Sequence, residues 1–462
     1  MIFKENMKRY NYLLATFLLL YLFSSCQKSF LNEKPDQALL VPESLSDFQA
    51  LLDNLNIMNV TPSLQNVATD DYYTTDNGWS ALSSPAEKNS YIWLSDIYEN
   101  QTNQDWNIPY KQVFYANVVL DGLNQIGPGN TSQNTYNQIK GSALFYRAFA
   151  EYNLIQMFAA DYDPATASQL PGIPVRSSSD VNIKSTRGSI KETYEAIVAD
   201  LNNAALLLSN TAAFKSRPCK TAVYALLSKI YLSMRNYSQA QAFATACLNL
   251  NSSLIDYNTI LTSASRPFPP PLTADNKEVI FYATLNSYSF NRAATTYVNA
   301  DLYNAYNSND LRKTAYFNMR GTGYNFKGTY TGNVSFFAGL ATDEIYFIRA
   351  ECEARLNNLT EALTDLNTVM ALRFVNGTYT NYTTTDPNQA LIKILLERRK
   401  ELISRGVRWY DLKRLNREAS TAVTLSRSLR GQNHTLLPNS NRYVFPIPDD
   451  EIAANGLPQN PR

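Results

Sequence analysis

The densest group of side chains that could do chemistry lies in Glu397–Arg414, with the sequence ERRKELISRGVRWYDLKR. Glu401 and Arg405 stand four residues apart, a spacing that favours an ion pair on one face of a helix. Arg405, Arg408 and Asp411 could form an anion-binding or acid–base site. The same guanidinium groups could instead bind carboxylates of neighbouring helices and fix them in place, because their planar donors reach both oxygens. We expect this second, structural role.

Pairs of acidic residues elsewhere are weak indications of catalysis. A glycosidase needs two Asp or Glu roughly 5–9 Å apart, and a chain with 40 acidic residues always offers such pairs. Asp343 and Glu344 open a predicted helix, where acids favour the positive end of the helix dipole. Asp70 and Asp71 could accept hydroxyl groups of a ligand, but we rank capping of a turn higher.

The single histidine, His434, excludes several kinds of site. Histidine-based catalytic triads and His-rich metal sites need an imidazole at a definite position, and one residue cannot serve every role. Asp161–Asp163 begins like a calcium-binding loop, but the Gly at the sixth position and the Glu at the twelfth are missing. No Gly-rich phosphate-binding loop occurs, and a net charge of +1 gives no attraction to nucleic acid. We therefore expect no metal site.

Helices must position these residues, since apolar side chains recur with helical periodicity over eight segments. The segments are Ile108–Ile126, Tyr136–Phe158, Ser189–Leu208, Pro218–Met234, Tyr237–Leu250, Asp343–Leu356, Thr360–Phe374 and Asn388–Leu415. Gly406 should end or kink the last of them. In two pairs of segments an Asn and an apolar residue are followed, three positions later, by a small residue, Ala240 or Ala362. This is typical of tetratricopeptide helix hairpins, which stack to bury their apolar faces.

The pattern therefore predicts an all-α dominated chain with a tetratricopeptide-like scaffold of helical hairpins. The scaffold should lie mainly in residues 107–160, 187–250, 341–374 and 388–416. Unrelated amphipathic helices that share an Ala remain an alternative, because the repeat signature is degenerate.

Three long segments between the helices show little periodicity: residues 69–106, 263–339 and 376–387. Connections of this length exceed the roughly 12–15 residues usual in compact domains and are commonly functional. We expect them to pack on the scaffold as a large irregular insertion lobe. Four glycines between 321 and 332 interleave with aromatic residues and predict hairpin turns and short strands with exposed aromatic faces.

The first 25 residues read as a bacterial lipoprotein signal peptide. Lys4, Lys8 and Arg9 precede the apolar run Tyr12–Phe23, and two serines lead to Cys26. The run is about a dozen residues, shorter than the roughly 20 needed to span a bilayer. We expect cleavage before Cys26, its lipidation, and a single mature domain over 26–462 tethered by acyl chains. An ordinary signal peptide with an incidental Cys, or a buried N-terminal helix, are the alternatives.

The other cysteines are Cys219, Cys247 and Cys352, an odd number that implies no disulfide framework. Cys219 opens one predicted helix and Cys247 lies near the end of the next, so antiparallel packing could bring the thiols close enough to bridge. Buried thiols at a helix contact are the commoner state. A disulfide and two free thiols both stay open, whereas the spacings fit no zinc site.

The chain resembles the SusD/RagB outer-membrane lipoproteins. The resemblance rests on the charged segment described first, on VFPIPDDEIAANGLPQNP at Val444–Pro461 and on CQKSFLNEKP at Cys26–Pro35. It extends to the helical segments Ile139–Ala159, Gly188–Leu208 and Glu344–Asn367, which follow in the family's order. It covers nearly the whole mature chain.

This resemblance implies a lipoprotein of the outer membrane, displayed on the cell surface, that acts as a substrate-capturing lid on a SusC-type TonB-dependent transporter. Proteins of this family bind glycans, or in some relatives peptides, and do not cleave them. The resemblance therefore implies no catalytic residue and no cofactor. The helical repeats would sit on the transporter and the inserted lobe would hold the ligand. Two alternatives stay open: a lipid-anchored glycoside hydrolase, and an assembly scaffold without a small ligand.

Aromatic side chains of the irregular lobe are the candidate ligand contacts. Sugar rings present C–H faces that stack on Trp and Tyr, whose polar edges can bond hydroxyl groups. The candidates are Tyr72, Tyr73, Trp79, Tyr91 and Trp93 in the first irregular segment and Tyr288, Phe290, Tyr297, Tyr324, Phe326 and Tyr330 in the second. For each of them, burial in the core of the lobe is the commoner state.

Overall fold

Helices dominate the residues that the computed structural model describes, which are 42–128, 133–184 and 186–462. In chain order they are α1 Leu45–Leu52, α2 Leu55–Met58, α3 Leu64–Ala68, α4 Asp76–Ser80, α5 Pro85–Tyr91, α6 Gln104–Ile126, α7 Gln133–Phe158, α8 Ile190–Leu207, α9 Lys220–Ser233, α10 Tyr237–Leu250, α11 Ser289–Arg292, α12 Ala300–Asn304, α13 Arg312–Tyr316, α14 Thr342–Arg355, α15 Leu359–Ala371, α16 Pro387–Glu401, α17 Arg408–Leu415 and α18 Asp449–Asn455. Within these ranges, no helix combines the length and apolarity that crossing a membrane requires.

Strands are short and pair only two at a time in the described ranges. They are β1 Val60–Thr61, β2 Tyr72–Thr74, β3 Pro171–Pro174, β4 Arg187–Ser189, β5 Val279–Phe281, β6 Thr284–Leu285, β7 Thr296–Val298, β8 Phe317–Arg320, β9 Gly323–Phe326, β10 Leu340–Ala341, β11 Leu425–Leu429 and β12 Gln432–Leu436. Strand β1 runs parallel to β6, and the pairs β2–β7, β3–β4, β5–β10, β8–β9 and β11–β12 are antiparallel. The predicted helix-dominated fold with short strands is confirmed.

Ser44–Arg462 forms one compact unit. Of the other unit, Met1–Glu43, the structure describes only the last two residues. Cys26 lies outside the described residues, so its lipidation stays a prediction.

The two predicted helix hairpins are α9–α10 and α14–α15. Each turns through one residue in the left-handed region, Arg235 at φ 58° or Asn357 at φ 64°. In both hairpins, the backbone N–H of this residue donates to the carbonyl three residues earlier, and the N–H of the following residue donates to the carbonyl five residues before it. Ala240 and Ala362 are fully buried, as close approach of the paired helices requires. Because α10 packs on α14, the hairpins stack, and the tetratricopeptide-like arrangement is confirmed.

The long helix α7 packs against both α6 and α8. Helix α6 begins one turn before the predicted start, because the side chain of Asn103 caps it by accepting the backbone N–H of Asp105 at 2.7 Å. Pro109 consequently lies inside the helix and not at its first turn. Arg147 on α7 donates to both carboxylate oxygens of Asp200 on α8, at 2.6 and 2.7 Å.

The prediction of one continuous helix over Asn388–Leu415 is wrong, because the structure divides this segment into α16 and α17. Ser404 at φ 63° and Gly406 at φ 74° adopt left-handed conformations between them. A Cβ added to Gly406 would lie 2.9 Å from the side chain of Leu285, so the position also requires close approach. The expectation that Gly406 ends or kinks the helix is confirmed.

The structural role expected for the charged C-terminal segment is also confirmed. Arg405 binds Asp343 at 2.7 Å, and Arg408 donates to both oxygens of Asp70 at 2.8 Å. The carboxylate of Asp411 forms ion pairs with Arg398 at 3.0 Å and Arg414 at 2.8 Å, two arginines of the same segment. Asp70 therefore binds Arg408, and the ranking of turn capping as its role is wrong.

The expected Glu401–Arg405 pair does not form, because Glu401 binds Arg312 at 3.0 Å and Arg373 at 2.7 Å. These groups belong to a set of ion-paired side chains, each at most 10% exposed, that we call the buried ion-pair network. Its members are Arg312, Arg355, Arg373, Arg398, Arg405, Arg414, Lys400, Asp310, Asp343, Asp411, Glu278, Glu344, Glu351, Glu397 and Glu401.

The disulfide considered for Cys219 and Cys247 is not formed. Both residues, and Cys352, are free and buried. Burial raises the pKa of the Cys247 thiol, and the neighbouring Cys219 raises it further. Both thiols therefore stay protonated and pack as small apolar groups at the contact of α9 with α10.

Candidate ligand-binding cavity

A cavity of about 590 Å³ opens in the irregular lobe. Its walls are residues 263–266, the end of α11 with residues 293–296, the hairpin β8–β9, and residues 327–336. The lining residues are Tyr72, Ser263, Ser265, Arg266, Asn291, Arg292, Ala293, Ala294, Thr296, Asn318, Arg320, Asn325, Phe326, Lys327, Thr329, Asn333, Val334 and Phe336. All of them belong to two of the segments predicted to be irregular, 69–106 and 263–339.

The hairpin β8–β9 presents a polar face to the cavity. In its antiparallel register Asn318 pairs with Asn325, and Arg320 pairs with Gly323. Directly opposed residues point to the same side of a sheet, so Asn318, Arg320 and Asn325 share one face. A Cβ on Gly323 would lie 2.7 Å from the ring of Tyr297, so glycine is needed for the hairpin to pack on that ring.

The hairpin is also joined to the neighbouring wall. The side-chain amide of Asn325 donates to the carbonyl of Ala294 at 3.3 Å and to that of Thr296. Both acceptors lie in the stretch that follows α11, so one side chain holds two walls together. The cavity is therefore formed by packed elements whose separation is fixed.

Helix α11 is held at its start by Glu87. The carboxylate of Glu87 accepts the hydroxyl of Ser289 at 2.7 Å and the backbone N–H of Phe290 at 2.8 Å. Because α11 has only four residues, these bonds also determine where its last residue, Arg292, lies.

The wall at 327–336 is shaped by its own short side chains. The hydroxyl of Thr329 donates to the carbonyl of Ser335 at 2.9 Å and accepts the backbone N–H of Phe337 at 3.0 Å. The side chain of Asn333 accepts the backbone N–H of Ser335 at 2.7 Å. These bonds place Val334, which is 55% exposed, at the rim of the cavity.

Among the residues that the structure describes, four cationic side chains line the cavity, and no Asp or Glu does. The four are Arg266, Arg292, Arg320 and Lys327. Within residues 42–128, 133–184 and 186–462, no carboxylate oxygen comes within 4.0 Å of any of them. The described residues also contain no group of three or more His, Cys, Asp or Glu side chains that could hold a metal ion.

The ammonium group of Lys327 is held by backbone carbonyls, those of Thr262 at 3.0 Å and Ala264 at 2.7 Å. Burial lowers the pKa of Lys327, and the positive charge of Arg266 lowers it further. The two cations are therefore close enough to repel each other, and no acidic lining residue offsets this repulsion.

Two of the predicted aromatic contacts line the cavity, Tyr72 and Phe326. Tyr72 is only 5% exposed, and its hydroxyl bonds with that of Ser404. The ring of Phe326 packs against that of Phe336, with centroids 5.4 Å apart. Phe326 is half-buried, whereas Phe336, which the sequence analysis did not name, is only 9% exposed. Phe326 is therefore the main aromatic side chain that a ligand could reach.

Five other predicted contacts lie in the core, at most 6% exposed: Tyr91, Trp93, Phe290, Tyr297 and Tyr330. Their prediction as stacking surfaces is corrected, because the protein itself covers their faces. The guanidinium of Arg427 lies 3.9 Å from the ring centroid of Tyr91 and 4.8 Å from that of Trp93. Arg405 lies 4.1 Å from the centroid of Tyr330. These cation–π contacts occupy the ring faces that a sugar would need.

The remaining four candidates are half-buried or exposed but do not line the cavity: Tyr73, Trp79, Tyr288 and Tyr324. Tyr324 stacks on Tyr303 with centroids 3.7 Å apart. Trp79 donates its indole N–H to the carbonyl of Lys88 at 3.0 Å, and Arg430 lies 5.0 Å from its ring. The predicted aromatic residues thus do not form one joint platform.

Sequence reasoning missed the polar and cationic lining. The alternation in β8 and β9 was the one available signal, since Asn318, Arg320 and Asn325 occupy every second position of their strands. Arg266 and Arg292 have no comparable pattern, because they enter the cavity from separate stretches of the chain.

Two family models match the chain. One, described as starch-binding associating with outer membrane, matches residues 29–232, and the model of the SusD family matches residues 283–462. A curated relative, SusD-like protein P2 of Formosa agariphila, is 26% identical over 148 residues, which are 31% of this chain and 26% of that protein. The chain thus spans about a quarter of the length of the curated relative it matches.

Solved structures share the fold. A SusD superfamily protein from Bacteroides thetaiotaomicron superposes with a TM-score of 0.71 at 21% identity, over 91% of this chain and 100% of that chain. A SusD-like carbohydrate binding protein from Bacteroides vulgatus gives 0.67 at 21% identity, over 90% and 97% of the two chains. Together with the two family models, which account for both halves of the sequence, these findings show that the chain belongs to the SusD/RagB family.

Proposed function

We propose that this protein is a lipoprotein on the outer-membrane surface that binds glycan nutrients in the cavity. It then delivers them to a SusC-like TonB-dependent transporter. Its family and the carbohydrate-binding description of one solved relative support the glycan-binding role. The description of the first family model, associating with outer membrane, supports the location. Lipid attached at Cys26 would tether the protein there.

The cavity is the single observation that carries this proposal. Its volume of about 590 Å³ falls in the range of roughly 300–1,000 Å³ common for small-ligand sites. The side-chain amide of Asn318, which is half-buried at the cavity wall, can donate to and accept from sugar hydroxyls. The half-buried ring of Phe326 offers an apolar surface to the C–H face of a sugar ring. A ligand-free assembly scaffold would have no use for such a site.

The lining favours binding over cleavage. A glycosidase places two carboxyl groups roughly 5–9 Å apart around the scissile bond, and neither Asp nor Glu lines this cavity. Hydrolysis at this site would therefore lack both its acid and its nucleophile or base. We propose that the protein binds its ligand without a cofactor and releases it unchanged.

Calorimetric titration of the full chain, kept in detergent, with a panel of oligosaccharides and peptides tests this function. We expect a glycan to bind. Asn318→Ala should weaken that binding about three- to tenfold, because loss of one neutral hydrogen bond costs about 0.5–1.5 kcal/mol. The matched control is Asn388→Ala, which removes an exposed amide from α16 and should bind like the unchanged protein.

Four results would contradict parts of the proposal. Release of reducing sugar that is lost on mutating a carboxylate would favour the hydrolase. Binding of peptides but of no glycan would change the ligand class. A blank panel, together with co-purification of a co-expressed SusC-like transporter, would favour the assembly scaffold. Failure of that co-purification would instead contradict delivery to such a transporter.

A further inference from the structure

We infer that the ligand of the cavity is an anionic glycan, one whose sugar rings carry carboxylate or sulfate groups. The inference rests on the proposed function and specifies its substrate class. It starts from the lining, which contains four cationic side chains and no acidic one.

The cations come from different walls of the cavity. Arg292 ends α11, Arg320 lies on the polar face of the β8–β9 hairpin, and Arg266 and Lys327 belong to the two remaining walls. Arg292 and Arg320 are exposed, Arg266 is half-buried and Lys327 is buried. A negative group inside the cavity could therefore receive donors from several directions, which a flat cationic surface would not offer.

The cations also keep hydrogen-bond donors to spare. Lys327 gives two bonds to carbonyls out of the three that an ammonium group can donate. Arg266 gives one, to the carbonyl of Ser265 at 2.9 Å, out of five. For Arg292 and Arg320 the described residues supply no carboxylate partner. A ligand carboxylate or sulfate would satisfy these donors through charge-assisted bonds, which are about twice as strong as neutral ones.

The electrostatic state of the cavity favours the same kind of ligand. Burial, together with the repulsion between Arg266 and Lys327, lowers the pKa of Lys327. An anion bound between the two side chains would offset that repulsion and raise the pKa of Lys327 towards its ordinary value. A neutral sugar would leave the repulsion in place.

A carboxylate and a sulfate offer the same recognition chemistry, oxygen acceptors with negative charge that match the guanidinium fork. An acidic peptide carries carboxylates too. The rest of the lining favours a glycan, since accessible side-chain amides and hydroxyls, including Ser263, Ser265 and Asn318, match a ligand rich in hydroxyl groups.

The test compares ligands matched in length: a galactose oligosaccharide, the corresponding oligogalacturonide, its sulfated counterpart, and an acidic peptide. The full chain in detergent is titrated with each by calorimetry. We expect one of the charged oligosaccharides to bind at least about tenfold more tightly than the neutral one. Raising the salt from about 0.05 to 0.5 M should remove most of this advantage, because it screens the cations at the open side of the cavity.

Variants then assign the effect to the cavity. Arg320→Gln should reduce the advantage of the charged over the neutral oligosaccharide about tenfold, and Arg320→Lys should retain part of it because the charge remains. Arg442→Gln is the matched control, since Arg442 is exposed and does not line the cavity. Thermal unfolding of each variant confirms that it is folded.

The outcomes separate this inference from the proposed function. Equal or tighter binding of the neutral oligosaccharide, weakened by Asn318→Ala, would overturn the inference and leave glycan binding in place. Charged-glycan binding that responds neither to salt nor to Arg320→Gln would also overturn it. Binding of the acidic peptide alone, or of nothing, would overturn both.

Discussion

The buried ion-pair network and the cavity place the same kind of side chain in opposite surroundings. In the network, Arg312 is fully buried and contacts the carboxylates of Asp310, Glu397 and Glu401 at 2.7, 2.5 and 3.0 Å. In the cavity, Arg320 is exposed, and no carboxylate oxygen lies within 4.0 Å of it in the described part of the chain.

Solvent access explains how both arrangements are stable. An unpaired charge in the interior costs several kcal/mol, so cations of the network need carboxylate partners inside the protein. The three arginines of the cavity are exposed or half-buried, and exposed ion pairs are worth only about 0–1 kcal/mol, so leaving these arginines unpaired costs little. The buried Lys327 is held instead by two backbone carbonyls. We therefore expect stability to depend on the arginines of the network, and the proposed ligand binding on those of the cavity.

The largest expected effect is on the network. Arg312→Ala leaves three carboxylates, those of Asp310, Glu397 and Glu401, without their shared partner. We expect the free energy of unfolding to fall by about 3–5 kcal/mol, the cost of breaking a buried pair by removing one member. Denaturant titration followed by circular dichroism measures this loss.

The matched variant is Arg312→Lys, which keeps the charge but not the fork of donors, so its loss should be smaller. A loss below about 1 kcal/mol for Arg312→Ala would be typical of a surface pair. It would show that the network does not hold the fold together.

Low pH should also destabilise the network, and protonation of each carboxylate should cost less stability than the Arg312→Ala substitution. Burial alone would raise the pKa values of Glu397 and Asp411, but the combined attraction of nearby cations outweighs it and lowers each to about 2. The cations are Arg312, Lys400 and Lys393 for Glu397, and Arg398 and Arg414 for Asp411. Because the folded values lie below unfolded ones near 4, the stabilisation is complete above pH 4 and is lost as the pH falls towards 2. Each group contributes on the order of 2–3 kcal/mol.

The measurement is the free energy of unfolding between pH 7 and pH 2. Asp411→Asn should lower stability at pH 7 and flatten the acid part of the curve, since the group that titrates is gone. An acid slope equal to that of the unchanged protein would show that Asp411 does not contribute to it.

The sequence could predict those features of the fold that leave a pattern in neighbouring residues. The long helices were predictable because their apolar residues repeat over many turns, and the break at Gly406 because glycine favours left-handed backbone. The short helices α1–α5 were not predicted, since segments of four to eight residues show too little periodicity. Pairing of Glu401 was wrongly predicted, because its partners Arg312 and Arg373 lie far away in the sequence.

The cavity was less predictable than the helical scaffold, because its lining depends on contacts between residues far apart in the sequence. Long irregular segments indicated where a ligand lobe should lie, but not which rings face solvent. Tyr91 and Trp93 are covered by Arg427, more than 300 residues further along the chain. Such contacts depend on the tertiary fold and leave no local signal.

The smallest expected change in the free energy of unfolding is that of a variant in the cavity, Arg266→Gln. Arg266→Gln removes a cation that has no carboxylate partner among the described residues and one hydrogen bond, to the carbonyl of Ser265. It also removes the repulsion of Lys327, whose pKa should rise towards its ordinary value. These effects oppose each other, so the free energy of unfolding should change by no more than about 0.5 kcal/mol. Denaturant titration of Arg266→Gln and of Arg312→Ala compares their losses of unfolding free energy. A similar loss in both variants would mean that the cavity cations stabilise the fold, as those of the network do.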